Sequence, residues 1–179
     1  MEEHSRTGDF VELHGDRLLG FAMLVTLGDA PLAGKLSAQA LAKGVERIEE
    51  LRHPVRAAAW LRAEVTKGAG RPAWGHQRPS EIERRDALGS LGVEAPTFDA
   101  LASLDVRSRA AIVATSVEGF SPADVYEIVG SDERVRKARR EYLTAYLASS
   151  ETRQADPPSG ELSARVRATA APILPGGRG

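Results

Sequence analysis

Glu118-Gly119-Phe120-Ser121-Pro122-Ala123-Asp124-Val125-Tyr126-Glu127-Ile128-Val129-Gly130-Ser131 is the most informative stretch of this 179-residue chain. Gly119 ends one helix. Ser121 is a side chain suited to capping the next, and Pro122 sits at the first helical position, where its missing N–H has no partner to lose. Asp124 falls in the first turn, against the positive end of the helix dipole. Phe120 and Val125 have the spacing of a hydrophobic staple. Val125, Ile128 and Val129 give the short helix one apolar side. Gly130 then stops it, and Ser131 caps a further helix that runs past Tyr146. The pattern is helix, tight glycine-containing turn, helix.

The second helix of that pair has two unlike faces. At 100° per residue, with Val135 at zero, Tyr142 lies near ~340°, Tyr146 near ~20° and Ala138 near ~300°, an inward stripe. Arg136, Lys137 and Arg140 fall between about 100° and 200°, opposite it. Residues 131–148 hold five basic side chains (Arg134, Arg136, Lys137, Arg139, Arg140) against three acidic ones, a local charge of +2. A basic outer face on a second motif helix suits a DNA major groove, since phosphates attract it and Arg can bridge guanine edges. An ordinary solvated charged face is the competing reading.

Outward from this motif, almost every periodic segment reads as helix. Phe10, Leu13, Arg17, Phe21, Leu24 and Val25 imply a first helix over about Asp9 to Leu27, ended by Gly28. Pro31 opens a second, with Leu36, Leu41, Val45 and Ile48 inward and an end near Arg52. Pro54 opens a third, with Val55, Ala58, Trp60, Leu61 and Val65. Breakers dominate from Lys67 to Pro79, which reads as a linker. Ser80-Glu81-Ile82-Glu83 is a capping box starting a short helix to about Leu88. A helical block begins at Thr97, and Asp105 caps a helix reaching about Glu118. Alternating β-branched runs with Asn-Gly or Asp-Gly turns are missing. The expected fold is all-α, with two small helical bundles joined by a flexible linker. The bounds are a first bundle over residues 1–66, a linker with a short helix over 67–96, a helix-turn-helix domain over 97–148 and a mostly disordered tail over 149–179.

Composition narrows function. Lys and Arg number 24 against 25 Asp and Glu, so a net charge of −1 argues against coating nucleic acid by bulk charge and leaves only a local basic face. Cysteine is absent, which removes disulfides, thiolate metal sites and thiol nucleophiles and fits a cytoplasmic protein. The longest apolar stretch, near Leu18 to Leu27, is far short of the ~20 residues a bilayer needs, so no membrane association is expected. His4, His14, His53 and His76 lie in separate segments with no metal spacing, and no phosphate-binding glycine loop occurs. The reading is therefore no enzyme, no catalytic residue, no metal and no cofactor. His14 beside Asp16 reads as surface polarity.

Taken in order, Ala100-Leu101-Ala102-Ser103-Leu104-Asp105-Val106-Arg107-Ser108-Arg109, Val117-Glu118-Gly119-Phe120-Ser121-Pro122-Ala123-Asp124-Val125 and Ile128-Val129-Gly130 resemble the promoter-binding domain of extracytoplasmic-function sigma factors. Gly28-Asp29, Leu36, Leu41, Val45-Glu46-Arg47, His53-Pro54 and Ala59-Trp60-Leu61-Arg62 are similar, more loosely, to that family's core-binding domain. The resemblance spans about residues 9–148. It implies a transcription initiation factor whose partners are core RNA polymerase and promoter DNA, with an anti-sigma factor or other regulatory protein also in range. Lys35, Leu36 and Gln39 would then meet polymerase. Trp60, Arg62, Lys67, Arg71 and Trp74 would line the melted strand, and Ser131, Arg134, Arg136, Lys137 and Arg140 the duplex. Read from the residues alone, Trp60 is first a core side chain, and Trp74 is first an anchor for the linker.

The departures are local. Gly34-Lys35-Leu36-Ser37-Ala38-Gln39 replaces the family's acidic start of the polymerase-binding helix, and Glu64, Val65 and Lys67 replace its post-tryptophan motif. Asp105 stands for the usual proline, and Gly130 meets Ser131 with no apolar residue between. The alternative is thus a sigma-like regulator that has lost promoter melting and works as a protein-interaction or DNA-binding module.

Overall fold

Leu27 and Gly28 are consecutive left-handed residues, at φ 58° and 80°, and they turn the chain back on itself. They separate α1 (Glu2–Val25) from α2 (Ala30–Glu46). The Asp29 carboxylate accepts from the Leu32 N–H at 3.1 Å, capping α2, and Pro31 sits in its first turn. A Cβ on Gly28 would lie 2.3 Å from the Arg84 carbonyl oxygen. Glycine is required there twice over, for its backbone conformation and for the close approach of α4.

The computed structural model describes residues 2–71 and 75–152, with side chains from Arg6 onward. The remaining helices are α3 (Pro54–Ala69), α4 (Glu81–Gly89), α5 (Ala95–Ala102), α6 (Val106–Ile112), α7 (Pro122–Val129) and α8 (Asp132–Thr152). A π-helical turn, Val113–Val117, continues α6. Among the described residues there is no strand, as the all-α reading expects.

Local signals hold closely. Ser80 and Glu83 form the capping box reciprocally, and Asp105 accepts from the Ser108 N–H at 2.7 Å. Other limits move. α1 begins at Glu2 rather than near Asp9. α3 passes through Lys67 and Gly68, where the linker was expected to begin. The reason is packing: a Cβ at Gly68 would sit 2.5 Å from Leu36 Cδ2, so this glycine admits α2 against α3 instead of breaking the helix. The single helix expected from Asp105 to Glu118 becomes α6 plus the π turn. α8 extends beyond residue 148 to Thr152, and Ser149 donates to Asp99 on α5 at 2.5 Å. The tail assigned as disordered lies, from residue 153, outside the described residues.

The described residues do not separate into two bundles. α3 packs on α7 and α1 on α6, and buried side chains run as one cluster from Phe10 to Tyr146. The connector is tied as well: His76 Nε2 lies 2.7 Å from Asp29 Oδ2, and Arg84 donates to the Leu27 carbonyl at 3.5 Å. Apolar surface on both halves explains the difference. Leu18, Phe21, Val25, Leu61 and Val65 lie on the first half, Ala111, Ile112 and Val125 on the second, and joining them removes more of that surface from water than two isolated bundles would.

Candidate nucleic-acid interface

α7, the turn and α8 form from side chains that satisfy their own ends. Ser121 Oγ accepts from the Asp124 N–H at 3.3 Å and donates to the Asp124 carboxylate at 2.6 Å. Gly130 is left-handed at φ 77°, and its N–H reaches the Tyr126 carbonyl at 2.7 Å. Ser131 Oγ accepts from the Arg134 N–H at 3.3 Å, which caps α8. The turn needs no apolar plug, because capping and the left-handed glycine reverse the chain between them.

The inward stripe of α8 is as its periodicity implies. Ala138, Tyr142 and Tyr146 are buried against α5 and α6, and the two tyrosine rings stack with centroids 6.1 Å apart. Arg136, Lys137, Arg139 and Arg140 are exposed on the other side. Lys137 lies 3.6 Å from Glu141, a solvent-exposed pair one turn apart that binds weakly.

Two of the five expected duplex contacts are engaged within the fold. Ser131 serves as the cap. Arg134 is half-buried, its Nη1 lies 3.3 Å from Asp105 Oδ2, and it ties the start of α8 to the start of α6. That correction follows from Asp105 projecting a carboxylate past its capping role.

Of the residues expected on a melted strand, Arg62 does not reach the surface. Arg62 is the clearest correction. Its side chain is 2% exposed, and it donates from Nε and Nη2 to the Glu118 carboxylate at 2.7 and 2.5 Å. The Arg62 guanidinium also lies over Phe21 and Phe120. A bidentate arginine–carboxylate pair is the arrangement that makes burial of both charges tolerable. Trp60 is half-buried with the Arg47 guanidinium 5.2 Å from its ring. Lys67 and Arg71 are exposed, with Lys67 3.6 Å from Glu64. Trp74 lies outside the described residues. Of the polymerase set, Lys35 and Gln39 are exposed, but Leu36 is 7% exposed under Gly68 and cannot meet a partner.

Sequence reasoning missed a cleft of about 400 Å³ between α1, α3 and the turn before α7, lined by His14, Arg17, Arg62, Glu118 and Phe120 among others. His14 is not surface polarity: it is 6% exposed and meets Phe10 edge-on, ring centroids 4.8 Å apart. Burial, then the nearby charges of Arg62 and Arg17, lower its pKa to about 4. The one sequence signal was its position four residues after Phe10 on the inward side of α1. Among the described residues, no cluster of histidines and carboxylates could hold a metal ion, and no helix is long and apolar enough to cross a membrane.

No family model matches this chain, and neither does any curated protein or solved structure.

Proposed function

We propose that this chain is a transcription factor resembling the extracytoplasmic-function sigma factors, acting in the cytoplasm on core RNA polymerase and promoter DNA. The supporting observation is the exposed face of Arg136, Lys137 and Arg140 on the second helix of a capped helix-turn-helix, opposite a stripe of buried tyrosines. In a major groove these side chains would neutralise phosphates and offer paired donors to guanine O6 and N7. Such a factor positions polymerase and carries no catalytic group of its own.

The second reading, a sigma-like regulator without promoter melting, draws on a specific observation too. Arg62 is buried in its pair with Glu118, so α3 presents fewer cations to an unpaired strand than its sequence suggests.

The test combines binding with transcription. Replacing Arg136, Lys137 and Arg140 together by Ala is expected to weaken duplex binding at least about tenfold and to lower the salt slope by about 2.7, with helical content unchanged. Undiminished affinity in that variant overturns the DNA reading. Capture of core polymerase followed by run-off from promoter fragments separates the two readings: association with transcripts favours a working initiation factor, and association without transcripts favours the regulator.

A further inference from the structure

The cleft beside α1 shares a wall with a second hollow. The first, of about 400 Å³, runs between α1, α3 and the turn before α7; the second, of about 440 Å³, lies between α1 and the chain joining α2 to α3. Leu13, His14 and Pro54 line both. Of these three only His14 is polar, and it is 6% exposed. Among the described residues its ring meets Phe10 edge-on and makes no hydrogen bond. At neutral pH the imidazole is uncharged, so one nitrogen can donate and the other accept, and the fold uses neither. A buried polar group left in this way costs stability that a ligand's hydrogen bond would return.

The charges around the cleft answer one another. Glu118 receives two donors from Arg62, and Asp124 receives the Ser121 hydroxyl. With Arg17, which is exposed, the lining holds two cations and two carboxylates. A balanced lining draws in neither a free anion nor a free cation. The polar group left for a ligand is the neutral ring of His14.

The rest of the lining is largely apolar. Leu13 on α1 and Val55 on α3 are 57% and 51% exposed, large apolar side chains held in water beside the hollow. Ala58 and Phe120 are half-buried. Phe120 is fixed through its backbone, since its N–H reaches the Ala114 carbonyl at 3.0 Å across the π turn, and the Glu118 N–H reaches that of Val113 at 3.1 Å. Single π turns at the end of a helix recur at functional sites. A preformed hollow with apolar walls and one inward polar group is the usual form of a small-molecule site, and this volume lies in the range such sites occupy.

We propose that this cleft binds a small uncharged molecule with an apolar body and one hydroxyl, a phenol being the simplest of the class, with the hydroxyl on the His14 ring and the body against Leu13, Val55 and Phe120. The site does not depend on whether Arg136, Lys137 and Arg140 touch DNA. Leu13 and Val55 belong to the first half of the chain and Phe120 to the turn that opens α7, so an occupant would clamp the helix-turn-helix onto the first half.

Phenol is the probe, titrated at neutral pH into the full-length chain and followed by amide chemical shifts, with toluene and benzoate for comparison. The expected result is saturable shifts centred on Leu13, Val55, Ala58 and Gly119. Benzoate, which brings a charge the lining does not answer, should bind at least about tenfold more weakly than phenol. His14→Phe keeps a ring and removes the hydrogen bond, so it should lower the affinity for phenol relative to that for toluene by roughly threefold to tenfold. Val55→Trp enlarges an exposed side chain, leaves the core intact whatever becomes of the His14 variant, and should block phenol and toluene alike. Shifts that grow linearly with concentration, or that scatter away from the cleft, overturn the proposal. So does benzoate binding as tightly as phenol, a phenol-to-toluene ratio that His14→Phe leaves unchanged, or undiminished binding to Val55→Trp.

Discussion

The middle of α3 and the outer face of α8 carry side chains of the same kind, and the fold treats them in opposite ways. Arg62 on α3 is folded inward, paired with Glu118 and covered by two phenylalanine rings. Arg136, Lys137 and Arg140 on α8 stay in water. The first arginine joins the two halves of the chain; the second group is free to meet a partner. Identical local chemistry therefore says little about function until the neighbour that a helix face meets is known. Arginine is suited to both fates, since its planar fork can be satisfied by one carboxylate inside a protein or by phosphates and base edges outside it.

The largest expected effect breaks the buried side of this comparison. Glu118→Ala leaves Arg62 uncompensated and should destabilise the protein by about 3–5 kcal/mol in urea denaturation. Arg62→Met combined with Glu118→Leu should return stability close to that of the parent, because an apolar pair of similar volume needs no compensation. Additive losses in that double variant would mean that the pair is not the link between the halves.

Acid attacks the same region. His14 lines the cleft beside Arg62, and its folded pKa of about 4 lies below the ordinary 6.5. At neutral pH it is uncharged in both states. Between pH 6.5 and 4 the unfolded chain takes up a proton that the folded chain refuses, so stability falls as pH falls and the loss is complete below about 4. At about 1.4 kcal/mol per unit the difference reaches roughly 3 kcal/mol. Thermal melts across that window should show the slope, and His14→Leu should flatten it.

The smallest effect sharpens the exposed side. Lys67 sits at the end of the same helix as Arg62, but its side chain is exposed and its ammonium lies 3.6 Å from Glu64. Lys67→Ala should shift stability by no more than about 0.5 kcal/mol by the same urea measurement. A loss comparable to that of Glu118→Ala would erase the distinction drawn between buried and surface charge.

Much of the fold is legible in the chain itself, for a physical reason particular to helices. Ser80, Asp105, Ser121 and Ser131 each cap the backbone N–H three residues on, so each start is written within one turn. The stripe of Ala138, Tyr142 and Tyr146 follows from 3.6-residue periodicity and needs nothing from elsewhere. The candidate DNA-facing set was readable to the same extent: Arg136, Lys137 and Arg140 are exposed because they lie opposite that stripe. Arg134 was misread because its partner, Asp105, is 29 residues distant.

What the sequence determined by itself was the all-helical class, the caps, the turn at Gly130 and the two-faced character of α8, since these rest on interactions confined to a few neighbouring residues. Tertiary structure alone decided that the halves share one core, that Gly68 seats Leu36, that His14 is buried and that Arg62 finds Glu118 56 residues away. A charge costs little at a surface and much inside, and which of the two applies is set by chain segments that no local pattern describes.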